Sequence, residues 1–104
     1  MSFAPMQKEV DEWISQFEEG YYAPLPMLAQ LTEEVGELAR AISHHYGGKK
    51  TKHAESRGDI AEEISDSIFV LICLANSLDI NLDEAFSRGM AKYRARDSNR
   101  WTKK

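Results

Sequence analysis

The sequence predicts an all-α fold of four helices in a single domain that spans residues 1–104. Apolar residues recur at steps of three and four in four segments, and glycine, proline or polar capping residues separate these segments. No stretch shows a sustained two-residue alternation of β-branched residues between turn signals, the pattern typical of a β-strand. With 42% hydrophobic and 29% charged residues, the composition is that of a globular chain and excludes a disordered one.

The first helix is predicted over residues 5–19, because its apolar stripe ends at Gly20. The stripe consists of Phe3, Met6, Val10, Trp13 and Phe17. Two prolines follow at positions 24 and 26, and they exclude a continuous helix because proline lacks the amide hydrogen and restricts the residue before it. Residues 20–26 are therefore predicted to form a loop, which carries Tyr21 and Tyr22.

The second helix is predicted over residues 26–46, because proline is favoured at the start of a helix and a glycine pair ends the apolar pattern. Its stripe consists of Leu28, Leu31, Val35, Leu38 and Ile42. The next segment, residues 47–58, is polar and is predicted to be a loop whose basic side chains either attract an anionic substrate or are simply solvated. These basic residues are Lys49, Lys50, Lys52 and Arg57.

The third helix is predicted over residues 59–78, where Asp59 and Glu62 form a start that resembles a capping box. Its stripe consists of Ile60, Ile64, Ile68, Leu71, Ala75 and Leu78. The second half of this helix, residues 68–75, is apolar on every side, which a small monomer cannot easily cover. We therefore expect a helical dimer interface and a homodimer, or a dimer of dimers.

The fourth helix is predicted over residues 82–95, with Asn81 and Glu84 as its cap pair. Its stripe consists of Leu82, Ala85, Phe86, Gly89, Met90 and Tyr93. A basic tail, about 96–104, follows this helix.

The charge distribution restricts the classes of partner. The formal net charge is −4, which argues against nucleic acid as a partner. Acidic residues concentrate between positions 33 and 66 and basic residues after position 87, so one region attracts cations and the other anions. No apolar run approaches the ~20 residues of a membrane span, and the N-terminus lacks the features of a signal peptide. Together with the lone Cys73, these features predict a cytoplasmic protein with no membrane partner.

Two segments, residues 31–38 and 60–67, match position for position. Each contains two acids three residues apart, which lie about 60° apart on one side of a helix. The pairs are Glu34 with Glu37, and Glu63 with Asp66. Packing the two helices together would bring four carboxylates to one place, and these would repel each other unless a divalent cation neutralised them.

The ligand types in this motif indicate which metal it would bind. Oxygen ligands without histidine or cysteine favour Mg²⁺, with Mn²⁺ as a substitute. Glu33 and Glu62 adjoin the motif acids and point further from the core, so each either assists the chemistry or is simply solvated. A single acidic pair on an amphipathic helix is usually an exposed face, but two matched copies favour a functional site.

These residues resemble the MazG-like nucleotide pyrophosphohydrolases, whose signature is Glu-Glu-x-x-Glu on one helix and Glu-x-x-Asp on the next. The strings here are residues 33–37 and 63–66, and the resemblance covers about 17–101. It implies a MazG-like four-helix bundle that hydrolyses nucleoside triphosphates between the α and β phosphates, releasing a monophosphate and pyrophosphate. It also implies that Mg²⁺ is bound by Glu34, Glu37, Glu63 and Asp66, with Glu33 or Glu62 assisting catalysis.

The resemblance further implies that residues of the last helix contact the phosphates. Lys92 and Arg96 are the counterparts of these phosphate-contacting residues. Some nucleotide-selective relatives have asparagine where this chain has Arg96, which leaves the base and sugar preference open. Tyr22 precedes the motif helix where relatives contact the base, and a stacking role is the functional interpretation. Trp101 either closes over the substrate or packs against the end of the last helix.

The function expected from these features is the cleaning of the nucleotide pool by hydrolysis of deoxynucleoside or damaged nucleoside triphosphates. A phosphoribosyl-ATP pyrophosphohydrolase is one alternative, since it shares the helical architecture and the bond that is cut. A non-catalytic helical module that senses nucleotide or metal and regulates a partner is another. The substrate range distinguishes the first alternative, and binding without turnover distinguishes the second.

Overall fold

The structure, a computed structural model, describes residues 2–47 and 57–104. It contains four helices: α1 (Phe3–Ile14), α2 (Pro24–Tyr46), α3 (Arg57–Ser77) and α4 (Leu82–Asp97). Neither described range contains a β-strand. The predicted all-α fold of four helices is therefore confirmed. None of these helices has an apolar stretch long enough to cross a membrane, as far as the described residues extend.

The predicted end of the first helix is wrong, because α1 stops at Ile14 and not at residue 19. Beyond Ile14 the chain continues in tight turns, in which the Phe17 amide donates to the Ile14 carbonyl at 3.1 Å. The rings of Trp13 and Phe17 still pack edge to face, 5.1 Å apart, so the apolar pattern outlasts the helix. Gly20 then reverses the chain at φ +60°, a conformation that favours glycine.

The pair α2 and α3 forms the most extensive helix contact. Its core is made of small and medium side chains, which allow the two helices to approach closely. The buried hydrophobic residues are Met27, Ala41, Val70, Ile72, Cys73 and Ala75. Ser67 is also buried and satisfies its hydroxyl by donating to the Glu63 carbonyl at 3.0 Å. This close pairing sets the positions of all acidic residues in the two matched segments.

Helix α1 packs against α3 and connects α4 to the rest of the molecule. The Asp83 carboxylate of α4 accepts hydrogen bonds from the amides of Phe3 (2.9 Å) and Ala4 (3.2 Å), which caps the start of α1. The predicted cap of α4 is confirmed, since the Asn81 side chain accepts from the Glu84 amide at 3.1 Å. Within the described residues, α4 makes no comparably extensive contact with α2 or α3.

The molecule is open, and the apolar run on α3 is only partly covered. Its radius of gyration is 17.1 Å, against about 13 Å for a compact chain of this length. Val70 and Ile72 are buried, whereas Ile68 and Leu71 are 44% and 46% exposed. One face of α3 therefore packs inside the chain and the other presents apolar surface.

Candidate active site

Three motif carboxylates meet where α2 and α3 pack together. Glu34 and Glu37 come from α2 and Glu63 from α3, and one carboxylate oxygen of each lies within 4.8 Å of the others. Glu34 and Glu63 are half-buried, whereas Glu37 is exposed. The three-residue spacing on α2 and the close pairing of the helices produce this arrangement. We call these three side chains the carboxylate cluster.

The cluster contains two oxygens without hydrogen-bond partners. Oε2 of Glu34 and Oε2 of Glu63 are both buried, and no donor among the described residues reaches either atom. Glu63 and Glu37 can bond to each other only by sharing a proton, because both offer acceptors when ionised. A buried carboxylate oxygen without a donor costs stability, and a bound cation would remove that cost.

The proximity of like charges changes the acid strength of the cluster. Burial, a hydrogen bond with Glu37 and the charges of Glu37, Asp66 and Glu34 together raise the pKa of Glu63 from 4.5 to about 6. Burial also raises the pKa of Glu34, with further contributions from the charges of Glu37, Asp66 and Glu33. Glu34 and Glu63 therefore bind protons more tightly than isolated glutamates do. A metal ion would compete with those protons for the same oxygens.

The fourth motif acid, Asp66, lies one helical turn after Glu63 and is half-buried. It is outside the group of oxygens within 4.8 Å, but its charge acts on both Glu34 and Glu63. The cluster is thus three carboxylates in close contact with a fourth beside them. Glu33 and Glu62 are exposed, as their positions in the sequence indicate.

An aromatic cavity of about 460 Å³ lies along the same helix pair. Its walls include Trp13 of α1, Phe17 in the turns that follow α1, and Tyr21 and Tyr22 from the loop before α2. We call this the aromatic cavity. Among its other lining residues are Met27, Gln30, Phe69 and Cys73. The structure thus places Tyr22, a sequence-predicted substrate residue, in the wall of a cavity.

The cavity adjoins the carboxylate cluster along both helices. Gln30 precedes Glu34 by four residues on α2, and Phe69 follows Asp66 by three residues on α3. Residues at these spacings lie on the same side of a helix. Gln30 and Phe69 were not predicted as candidate site residues, although their helical spacing from the motif acids is a signal that could have identified them.

The predicted phosphate-binding residues lie elsewhere in the chain. Lys92 and Arg96 flank the ring of Tyr93 on α4, at 5.0 and 5.3 Å from its centroid. Arg96 also forms an ion pair with Asp97 at 2.9 Å. Trp101 is 69% exposed. Helix α4, which carries Lys92 and Arg96, packs more extensively on α1 than on the two helices of the carboxylate cluster.

The basic loop predicted between α2 and α3 includes residues that lie outside the described ones, namely Lys49, Lys50 and Lys52. The backbone of Arg57 is described, and it begins α3 two residues earlier than predicted.

Comparisons with known proteins give a consistent result. A model of the MazG nucleotide pyrophosphohydrolase domain matches residues 23–101, a range that contains all four motif acids together with Lys92, Arg96 and Trp101. The YpjD protein of Bacillus subtilis (strain 168) is 57% identical over 99 residues, which cover 95% of this chain and 89% of that protein. The YvdC protein of the same organism is 29% identical over 94 residues, or 81% of this chain and 89% of that protein.

Two crystal structures resemble the fold closely. The structure of YPJD from Bacillus subtilis has a TM-score of 0.82 and 54% sequence identity, covering 89% of this chain and 95% of that one. The structure of a Bacillus-conserved MazG protein, described as a nucleotide pyrophosphohydrolase, has a TM-score of 0.80 and 48% identity. That alignment covers 93% of this chain and 94% of the other.

Proposed function

The chain belongs to the MazG nucleotide pyrophosphohydrolase family, and we propose that it uses Mg²⁺ to cleave nucleoside triphosphates between the α and β phosphates. The products are a nucleoside monophosphate and pyrophosphate. The observation that carries the proposal is the carboxylate cluster, in which three oxygens from two helices lie within 4.8 Å of one another. We favour deoxynucleoside or damaged nucleoside triphosphates as substrates and the cleaning of the cytoplasmic nucleotide pool as the role.

The residues fit a divalent metal ion on chemical grounds. The buried Oε2 atoms of Glu34 and Glu63 lack donors, and the pKa of each carboxyl is raised, so both side chains gain from a bound cation. Carboxylate oxygens are the ligands that Mg²⁺ prefers, and Mn²⁺ shares this preference. Glu34, Glu37 and Glu63 would hold the ion, with Asp66 as the fourth ligand.

The metal site and the neighbouring acidic residues have separate roles in the proposed reaction. The metal ion, when bound, would neutralise phosphate charge and lower the pKa of a water molecule. Glu33 or Glu62 accepts the proton of the attacking water, because each is exposed and adjacent to a proposed ligand. A new bond forms between the water oxygen and the α phosphorus. The bond from this phosphorus to the oxygen that bridges the α and β phosphates breaks, and pyrophosphate leaves with that oxygen.

The aromatic cavity supports a place for the nucleoside. Aromatic rings stack favourably on nucleobases, and Tyr22 is one of the rings in its wall. The cavity begins one helical turn from the motif acids on both α2 and α3. A triphosphate at the carboxylate cluster could therefore place its base in the aromatic cavity.

A homodimer, or a dimer of dimers, completes the proposal. The exposed Ile68 and Leu71 on α3 are apolar surface that a second copy would cover. Lys92, Arg96 and Trp101 lie on or after α4, which packs more extensively on α1 than on the helices of the cluster. We propose that they contact the phosphates or base in the site of the partner subunit. A monomer in light scattering at micromolar concentration would contradict this part.

The central test measures the release of pyrophosphate and monophosphate from phosphoribosyl-ATP and from a panel of canonical and modified ribo- and deoxynucleoside triphosphates with Mg²⁺. Glu34→Gln and Glu63→Gln should reduce turnover by a factor on the order of a hundred or more. The matched control is Glu84→Gln, which changes an exposed acid on α4 and should keep the wild-type rate. Circular dichroism verifies that each variant is folded.

The outcomes separate the alternatives. Turnover confined to phosphoribosyl-ATP would identify a phosphoribosyl-ATP pyrophosphohydrolase. Nucleotide or metal binding without turnover would favour a sensing module. Equal rates for Glu63→Gln and the Glu84→Gln control would contradict a catalytic role for the carboxylate cluster.

A further inference from the structure

A second group of polar side chains connects α1, the loop before α2 and the end of α3. The Asn76 side chain donates from Nδ2 to the Gln7 carbonyl at 2.9 Å and to the Tyr21 hydroxyl at 3.0 Å. Its Oδ1 accepts from Nε2 of Gln7 at 2.9 Å. The Tyr21 hydroxyl in turn donates to Oδ1 of Asp11 at 2.7 Å. We call Gln7, Asp11, Tyr21 and Asn76 the Asn76 network.

The network fixes Tyr21 in one orientation. Its hydroxyl accepts from Asn76 and donates to Asp11, so each hydrogen bond has a defined direction. Burial, followed by the hydrogen bond to Asp11, raises the pKa of Tyr21 to about 12, so the hydroxyl keeps its proton at physiological pH. Gln7 extends the network to the α3–α4 connection, because its side chain also bonds the Ile80 carbonyl and the Leu82 amide.

Tyr21 lies in the wall of the aromatic cavity. Its partners in the Asn76 network, Gln7, Asp11 and Asn76, are not among the residues that line this cavity. Tyr22 and Gly20, its neighbours in the loop, line the same cavity. Asn76 follows the lining residue Cys73 by three positions on α3. The backbone hydrogen bonds of this loop close local turns, and the side-chain bond from Asn76 to Tyr21 is a long-range hydrogen bond that fastens the loop to α3. Gln7, Asp11 and Tyr21 also lie before residue 23, where the family match begins.

We propose that Asn76 is a positioning residue that acts through Tyr21 to hold the cavity wall in the shape that receives the nucleoside part of the substrate. This inference rests on the proposed function, because it requires that the aromatic cavity binds that part. Neither side chain touches the reacting phosphates in this scheme. Loss of the network should therefore weaken nucleoside binding and leave the chemical step at the carboxylate cluster intact.

The main test is Tyr21→Phe, which keeps the ring in the wall and removes the hydroxyl. Its KM for a nucleoside triphosphate should rise about three- to tenfold, the effect of one lost hydrogen bond, while kcat stays within about twofold of wild type. The dissociation constant of the monophosphate product should rise by a similar factor. The inhibition constant of inorganic pyrophosphate, which has no nucleoside, should not change.

A double-mutant cycle tests whether Asn76 acts through Tyr21. Asn76→Ala should also raise KM, and the double variant should raise it no further than the larger single effect, because both changes break the same bond. Additive increases would show that Asn76 acts by another route and would overturn the proposal.

A matched control separates positioning from a general loss of stability. Asp83→Asn weakens the cap of α1 by α4 and leaves the Asn76 network in place. Its KM should equal that of wild type even if its melting temperature falls as far as that of Tyr21→Phe. An unchanged KM in Tyr21→Phe, or an equal rise in Asp83→Asn, would overturn the inference. A wild-type protein that hydrolyses no triphosphate would instead contradict the proposed function.

Discussion

The carboxylate cluster and the Asn76 network both use half-buried polar side chains of α3, about three and a half turns apart along that helix. In the network, each polar side chain is bonded to another part of the chain at 2.7 to 3.0 Å. In the cluster, Oε2 of Glu34 and Oε2 of Glu63 have no donor among the described residues. One end of α3 thus stabilises the fold, and the other end carries charge that the fold leaves uncompensated.

This difference gives a physical criterion that distinguishes polar residues that stabilise the fold from polar residues that bind a ligand. A satisfied polar network contributes to stability and fixes a unique geometry. A buried oxygen without a donor lowers stability, so it indicates a group that a ligand compensates. Removing side chains from the two regions should therefore change the free energy of unfolding in different ways.

The largest expected effect on stability comes from Asn76→Ala. It removes three hydrogen bonds and leaves Gln7 and Tyr21 without their partner, so the free energy of unfolding should fall by about 2 to 4 kcal/mol. Glu63→Gln, measured in metal-free buffer at pH 8, should cause no such loss because it removes a destabilised charge. Urea unfolding at one fixed protein concentration measures both. Equal losses in the two variants would break the distinction between the regions.

The next largest effect is the stabilisation of the folded protein by a metal ion that binds at the carboxylate cluster. Mg²⁺ at about one hundred times its dissociation constant should raise the free energy of unfolding at pH 8 by about 2.7 kcal/mol. Glu34→Gln should abolish most of this gain, whereas Asn76→Ala should retain it although the protein starts from a lower stability. Thermal unfolding with and without Mg²⁺ provides the comparison. A gain that survives in Glu34→Gln would place the metal elsewhere.

A smaller effect is expected at the contact between α1 and α4. Asp83 is a satisfied polar group like those of the Asn76 network, since both its oxygens accept backbone amides of α1. Asp83→Asn leaves one acceptor oxygen and removes the charge beside the helix N-terminus, so it should lower the free energy of unfolding by about 1 kcal/mol. Hydrogen exchange should show faster opening of the first turn of α1. No change in that exchange would mean that α4 does not hold α1 in place.

The smallest effect is a pH dependence of the metal-free protein. The folded protein binds a proton at Glu63 more tightly than the unfolded chain, because the pKa of this residue rises from 4.5 to about 6. The free energy of unfolding should therefore fall as the pH rises between these two values and should show no further change from this group above them. The slope should be weaker in Glu63→Gln. A slope of the opposite sign would mean that the carboxyl is stabilised in its ionised form.

The sequence predicted the parts of this molecule that depend on neighbours along the chain. Apolar spacing and cap residues predicted four helices. The two matched acidic segments predicted that Glu34, Glu37, Glu63 and Asp66 would come together, and the first three have oxygens within 4.8 Å of one another. The end of α1 was missed because Phe17 continues the apolar pattern beyond the last helical residue. Local spacing carries no information on such a change of backbone conformation.

The missed features depend on residues far apart in the sequence. Asn76 bonds Tyr21 across 55 positions, and no local pattern marks either residue as a partner. The attachment of α4 to α1 through Asp83 is equally invisible in the periodicity of either helix. The aromatic cavity was not predicted for a related reason. In the sequence, Trp13 and Phe17 fit an ordinary apolar stripe, and only the fold places the loop with Tyr22 beside them.

The bonds that fasten α1 also determine the order in which this protein can be completed during synthesis. The Phe3 amide donates to the Asp83 carboxylate 80 positions later, and the Gln7 side chain donates to the amide oxygen of Asn76 69 positions later. Helix α1 leaves the ribosome first, but its partners are made near the end of the chain. Helices α2 and α3 can pair as soon as α3 is complete, since their contacts need no later residue. The cap of α1 by Asp83, which needs the first turn of α4, is therefore the last of these contacts that can form.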